Sequence, residues 1–321
     1  MSAWRPDVLG EPYEARSLHL ADDDEGPVVA TLVRYAPPAA EPLRAARVVL
    51  YVHGWSDYFF QTEVAEYWHG LGAAFYALDL RKYGRSLRRG QTPGYVADLA
   101  TYDEDLDAAI GVIRRAHGAA ARILVMAHSA GGLITALWAD RHPGEVSAMV
   151  LNSPWLELQG SSVLRHVSAP AIRQIATFQP KAALPNIDPG FAARTVLRSG
   201  GGEWEYDETW KPTPSFPVRA GWLSAITAGH AAVAKGLSIT APILVVASTR
   251  SLISPRWSEE MRAADVVLDV ELIARRAVEL GPVVTLVRLE GALHDVALSA
   301  PPVRARFYAE LDRWLAGYGW G

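Results

Sequence analysis

Apolar positions recur along the chain in two distinct periods. Unbroken runs of β-forming residues stand at Arg47-Val-Val-Leu-Tyr-Val52, Ala73 to Asp79, Arg122 to His128, Val146 to Leu151, Ala241 to Ser248 and Pro282 to Leu289. Runs of this length without polar alternation predict strands buried on both faces. Between them lie stretches with apolar residues at helical spacing, at 62–71, 102–115, 133–139, 271–280 and 302–315. The stretch from Tyr102 opens on Asp103-Glu-Asp105 and closes on Arg114-Arg115, charges that complement a helix dipole at both ends. Alternating strand and helix predict an α/β protein with a mostly parallel central sheet and helices on both faces. Ahead of it, Glu14 to Leu20 and Val28 to Tyr35 flank Ala21-Asp-Asp-Asp-Glu-Gly26, which predicts a hairpin with a solvated acidic turn.

The alternation stops between the fourth and fifth of these buried runs. Residues 156–236 are irregular, with Ser161-Ser162, Gly200-Gly-Gly202, Pro212, Pro214 and Pro217, and the stretch from Trp155 also holds Trp204, Trp210 and Trp222. This predicts an aromatic-rich lid inserted into one core made of 1–155 and 237–321. A packed surface subdomain fits the same composition, so no lid residue is assigned a substrate contact.

Composition narrows the chemistry. A chain of 321 residues, half of them apolar, can bury one large core with an attached lid. The formal charge of −4 gives no general attraction to nucleic acid or to an anionic membrane surface. The basic loop of Arg81, Lys82, Arg85, Arg88 and Arg89 lacks interleaved aromatics and is expected to be solvated. Absence of cysteine excludes disulfides and thiol nucleophiles. The opening residues show no basic region followed by an apolar core, and no apolar run reaches spanning length, so a soluble cytoplasmic protein without an integral membrane segment is expected.

The stretch Arg122 to His128, Ser129-Ala-Gly-Gly132 and then Leu133 to Ala139 reads as strand, sharp turn and helix, with Ser129 on the turn. Such a turn admits only small side chains two positions either side of the serine, and these are Ala127 and Gly131. The serine oxygen would be exposed at a helix N-terminus, as a nucleophile requires. Its base must come from elsewhere, and His294 follows the last buried strand through Glu290-Gly-Ala-Leu293. Oxyanion donors are expected at the Ala130 amide, directly after the serine, and at the Trp55 amide, which the His53-Gly54 turn would aim above the sheet. His53 itself is expected to pack and hold its loop. No carboxylate stands in Thr249-Arg-Ser-Leu-Ile-Ser254, the loop where an orienting acid would fall, so the residues leave Asp265, Asp269 and Glu157 as candidates.

Together these motifs resemble the serine α/β-hydrolases of the monoacylglycerol lipase and serine aminopeptidase group, also called lysophospholipase-like. The likeness covers about 45–155 and 240–315 and rests on His53-Gly54, Asp79-Leu-Arg-Lys-Tyr-Gly-Arg-Ser86 in place of Asp-x-Arg-Gly-x-Gly-x-Ser, Tyr95-Val-Ala-Asp98, His128-Ser129-Ala-Gly-Gly132 and Gly291-Ala-Leu-His294. Asp265-Val-Val-Leu-Asp269-Val resembles the segment that carries the family's acid before a helix, as though Arg250 to Ala263 were inserted ahead of it. The resemblance thus implies an α/β-hydrolase fold and a Ser129, Asp265, His294 triad, with Glu157 or Asp269 as the alternative acid. It implies a serine hydrolase of small carboxylic esters with an apolar part, needing no cofactor or metal and no nucleic acid. Acyl transfer or peptide cleavage could use the same residues, and a silent hydrolase fold binding a small hydrophobic ligand is the remaining alternative.

Overall fold

The computed structural model describes residues 3–37, 46–159, 174–185 and 188–319. Nine strands form one sheet: β1 Arg5–Pro6, β2 Tyr13–His19, β3 Val29–Tyr35, β4 Arg47–Val52, β5 Ala74–Asp79, β6 Arg122–His128, β7 Ala148–Asn152, β8 Ile243–Ser248 and β9 Val284–Leu289. Their spatial order is β1-β2-β3-β5-β4-β6-β7-β8-β9. The first three strands pair antiparallel with one another and onto β5, while β5 through β9 run parallel. All six runs predicted from the apolar pattern are strands, with ends shifted by up to two residues, but β9 is not buried on both faces as expected: it is the edge strand, and of its residues only Leu289 is buried.

Their unbroken apolar character has a simple cause. Val48, Leu50 and Val52 of β4 face one core, with Ile123, Val125 and Ala127 of β6 and Ile243, Val245 and Ala247 of β8. The alternate residues Val49, Tyr51, Leu124, Met126, Leu244 and Val246 face a second core on the other side. Helices Asp103–His117, Ala130–Arg141 and Ala220–Val233 close the first core, and Thr62–Gly70 and Pro301–Trp314 close the second. No described helix is long and apolar enough to cross a membrane.

Two expectations about charge are corrected. The basic loop is not simply solvated: Arg81, Lys82 and Arg85 are buried or nearly so, and only Arg88 and Arg89 are exposed. Arg81 pairs with Asp105 and Glu104, and Arg85 pairs with Asp7 and Asp79. Lys82, 1% exposed in its side chain, meets Asp23 at 2.5 Å and Glu25 at 2.7 Å. The acidic turn is therefore a counter-charge for this loop, and Lys181 adds a second cation on Asp24 and Glu25. Burial raises the Glu25 carboxyl, but hydrogen bonds from Lys181 and Lys82 hold it well below the usual carboxylate range. A long cation can be buried only beside such partners, and these lie far away in sequence.

Within 156–236 the described residues include helices Phe191–Val196 and Ala220–Val233, and 174–178 is also helical. Ser161 and Ser162 lie outside the described residues. Trp204, Tyr206 and Trp210 pack on a small cluster of Tyr58, Phe60, Val196, Leu293 and Leu298, which joins this stretch to the loops after β4 and β9. Lys211 reaches Asp57 at 2.6 Å, the Asp207 amide donates to the Tyr58 hydroxyl at 2.6 Å, and the Phe216 amide donates to Ser56 Oγ at 3.0 Å.

Candidate active site

Chain direction across the sheet reverses at β4: β5 lies on one side of it and β6 to β9 on the other. In a parallel sheet the crevice at the carboxyl ends of such strands is where ligands are received. The loops that leave β4, β6, β7, β8 and β9 carry every residue singled out from the sequence as site chemistry.

Ser129 sits between β6 and helix Ala130–Arg141 with φ 52° and ψ −120°. A side chain at positive φ costs about 1–3 kcal/mol, and neighbouring contacts must enforce it. Here the Ser129 amide donates to the Asn152 carbonyl at 3.0 Å, and its own carbonyl accepts from Gly132 at 2.9 Å and Trp155 at 3.0 Å. The helix begins at Ala130, earlier than the apolar spacing from Leu133 suggests, because the glycines pack too tightly to register as an apolar face. A Cβ at Gly131 would collide with the His53 carbonyl oxygen, and one at Gly54 would stand 3.0 Å from Ser129 Cβ. Ala127 is fully buried and its methyl is absorbed into the core, so a second glycine there is unnecessary.

His294 Nε2 lies 3.0 Å from Ser129 Oγ, and His294 Nδ1 lies 2.9 Å from Asp265 Oδ2. A carboxylate only accepts, so Nδ1 carries the proton and Nε2 is left as acceptor for the serine hydroxyl. Asp265 is fully buried, and its other oxygen accepts the Val267 and Leu268 amides, both at 2.8 Å. The 250–264 excursion leaves β8 and returns alongside its own start: the Leu252 amide donates to the Asp265 carbonyl at 2.8 Å and the Asp265 amide to the Arg250 carbonyl at 3.0 Å. That return brings the carboxylate back to the strand end. The two alternative acids are engaged elsewhere. Glu157 meets Arg276 at 2.7 Å, and Asp269 accepts from the Glu271 amide at 3.0 Å as the cap of helix Val270–Ala277.

Neither the Trp55 nor the Ala130 amide has an acceptor among the described residues. His53 holds its loop: Nδ1 donates to the Gly54 carbonyl at 2.8 Å, and Nε2 accepts the Leu80 amide at 3.1 Å. Both ring nitrogens are thus occupied, which leaves this histidine no free site for proton transfer. Asp57 is buried beside it. Burial alone would push that carboxyl up, but the Lys211 ammonium holds it below the usual carboxylate range.

Sequence reasoning missed a polar network behind this relay. Asn152 and Gln61 are buried and each donates a hydrogen bond to the buried Asp295 carboxylate. The one local signal was a pair of polar residues, Asn152 and Ser153, ending an otherwise apolar strand.

Two further histidines are buried and neutral. His230 Nε2 donates to the Trp155 carbonyl at 2.9 Å, and burial pushes its imidazole down to about 4. Burial likewise lowers His128, whose Nδ1 donates to the Asn152 carbonyl at 3.1 Å. Below an unfolded pKa of 6.5 the unfolded chain takes up a proton at His230 that the folded chain refuses, so this stability is lost as pH falls from about 6.5 towards 4. Between pH 7 and 5 His230→Gln is expected to lose roughly 2 kcal/mol less than wild type in urea unfolding. Equal losses in the two proteins would contradict a buried neutral His230.

A reversing parallel sheet with a serine on a strained strand-to-helix turn defines the α/β-hydrolase fold. The chain belongs to the serine aminopeptidase S33 family of hydrolases, whose model it matches over residues 44–298. A monoacylglycerol lipase of Mycolicibacterium smegmatis is 30% identical over 216 residues, which cover 65% of this chain and 71% of that one. In structure the chain is similar to a soluble variant of the Saccharomyces cerevisiae monoglyceride lipase, with a TM-score of 0.65 and 15% identity over 94% of this chain and 96% of that one. It is also similar to the Paleococcus ferrophilus monoacylglycerol lipase, with a TM-score of 0.60 and 18% identity over 94% and 98%. At those identities the two structures speak for the fold alone.

Proposed function

We propose that this protein is a serine ester hydrolase of the monoacylglycerol lipase kind, cleaving carboxylic esters with an apolar part through an acyl-enzyme. The observation that carries the reading is the unbroken relay from Ser129 Oγ through His294 to Asp265, with contacts of 3.0 and 2.9 Å. In this reaction Ser129 Oγ attacks the ester carbonyl carbon while its proton passes to His294 Nε2. The carbonyl oxygen becomes an oxyanion held by the Trp55 and Ala130 amides, and Asp265 stabilises the imidazolium. Collapse expels the alcohol, which takes the proton from His294. Water, deprotonated by His294, then attacks the acyl carbon, and the acid leaves as Ser129 recovers its proton.

An ester is favoured over the amino end of a peptide by the state of the nearby acids. A peptide's terminal ammonium needs a carboxylate partner, and Asp57 and Glu157 already hold Lys211 and Arg276. In this reading the part of the insertion around Trp204, Tyr206 and Trp210 covers the site as a lid, which their packing on the loops after β4 and β9 supports.

The test presents the purified protein with 1-monoacylglycerols of increasing chain length and with aminoacyl p-nitroanilides. Free fatty acid should be released from the glycerides, at least 100-fold faster than any anilide is cleaved. Anilide cleavage without ester hydrolysis would overturn the ester reading in favour of a peptidase.

A further inference from the structure

The geometry points to Asn152 as a positioning residue that fixes the distance between Ser129 and His294, with Asp295 as its counterpart. This rests on the hydrolase reading above for its kinetic consequences, but not for its structural ones.

Asn152 is the last residue of β7 and is fully buried. Its backbone serves the nucleophile: one carbonyl oxygen accepts both the Ser129 amide at 3.0 Å and His128 Nδ1 at 3.1 Å. Its side chain serves the other half of the relay. Nδ2 donates to Asp295 Oδ1 at 2.7 Å, and Oδ1 accepts the Val296 amide at 3.0 Å. Asp295 follows His294 directly, so a single residue grips the serine turn with its main chain and the histidine loop with its carboxamide. Both grips use a short, rigid side chain or none, on a central strand, so little freedom remains between them.

The counterpart is built for the same purpose. Asp295 is 6% exposed, and its carboxylate accepts from Asn152 Nδ2 at 2.7 Å, the Ala297 amide at 3.1 Å and Gln61 Nε2 at 3.0 Å. Gln61, itself fully buried, is fixed in orientation because its Oε1 accepts the Phe60 amide at 3.0 Å. Three N–H donors thus stabilise a buried carboxylate that touches neither Ser129 nor His294 Nδ1. A buried charge is costly to leave partly unpaired, so the loop holds still while these donors are in place. The loop is pinned again by the Leu293 amide on Ser299 Oγ at 2.9 Å.

The decisive variants are Asn152→Asp and the exchange Asn152→Asp with Asp295→Asn, measured at pH 8 on a p-nitrophenyl ester. In the single variant two carboxyls oppose each other, and the histidine loop is driven from the serine turn. Its kcat should fall about 100-fold while KM moves less than about threefold, since a displacement on the ångström scale has that effect on rate. The exchange restores one N–H to oxygen pair with its polarity reversed, though the Ala297 amide loses its acceptor. At least tenfold of the lost kcat should return. The downfield proton resonance of His294 Nδ1–H, bonded to Asp265, should vanish in the single variant and reappear in the exchange. Wild-type kcat and resonance in Asn152→Asp, or no recovery in a folded exchange variant, would overturn the proposal. Should Asn152→Asp not fold, Asn152→Ser shortens the clamp without adding charge, and an unchanged kcat and resonance there would overturn it equally. A wild type that hydrolyses no ester would contradict the hydrolase reading, and the resonance would still decide the clamp.

Discussion

Substituting Ser129 by alanine is expected to lower p-nitrophenyl ester turnover by about 10⁴-fold or more, with substrate binding and folding preserved. The direction follows from what Oγ does in the free protein. Its recorded partner is His294 Nε2 at 3.0 Å, whereas the turn is held by main-chain bonds from Asn152, Gly132 and Trp155. Alanine keeps those bonds and the positive φ, so unfolding free energy should stay within about 1 kcal/mol of wild type. What disappears is the only oxygen that can form the acyl-enzyme. Any residual rate would reflect the Trp55 and Ala130 amides polarising the ester for attack by water. Steady-state kinetics beside a urea titration separate the two effects. A variant that keeps more than a tenth of wild-type turnover would remove Ser129 from the mechanism.

Asp265→Asn should cost nearly as much, about 10⁴-fold in kcat, although it is almost isosteric. One oxygen of this side chain accepts two amides, from Val267 and Leu268, so the amide of the variant must keep its carbonyl oxygen on that side. Its NH2 then faces His294 Nδ1, where an acceptor is required. The imidazole responds by moving its proton to Nε2, the nitrogen that has to take the proton of Ser129. Tautomer, rather than position, is therefore what fails. Glu157→Gln and Asp269→Asn serve as controls and should stay within about threefold of wild-type kcat, because those acids bind Arg276 and the Glu271 amide. A large loss in Glu157→Gln with none in Asp265→Asn would reverse the assignment.

The parts of this molecule that could be read from sequence are those whose signal is local. The strand that ends in His128, the small residues around Ser129 and the apolar run before His294 each advertise their geometry within about ten residues. Asp265 was legible only through likeness of a segment, since the excursion after Ser248 displaced it from the expected loop. Lys82 misled, because a lysine in a polar loop reads as solvated and nothing nearby announces that Asp23 and Glu25 will enclose it. The contact between Asn152 and Asp295 spans 143 positions and that between Gln61 and Asp295 spans 234, separations at which no periodicity speaks. Aromatic content did mark 204–210 as something to be packed, but not the loops after β4 and β9 that receive it.

The most direct test of the account is to find where a covalent adduct forms. Wild-type protein is treated with a fluorophosphonate, digested, and mapped by mass spectrometry, with His294→Ala treated in parallel. The account predicts one equivalent of phosphonate on the peptide that contains Ser129, formed at least 100-fold more slowly in the histidine variant. An active enzyme that carries its adduct on another residue, or carries none, would contradict it.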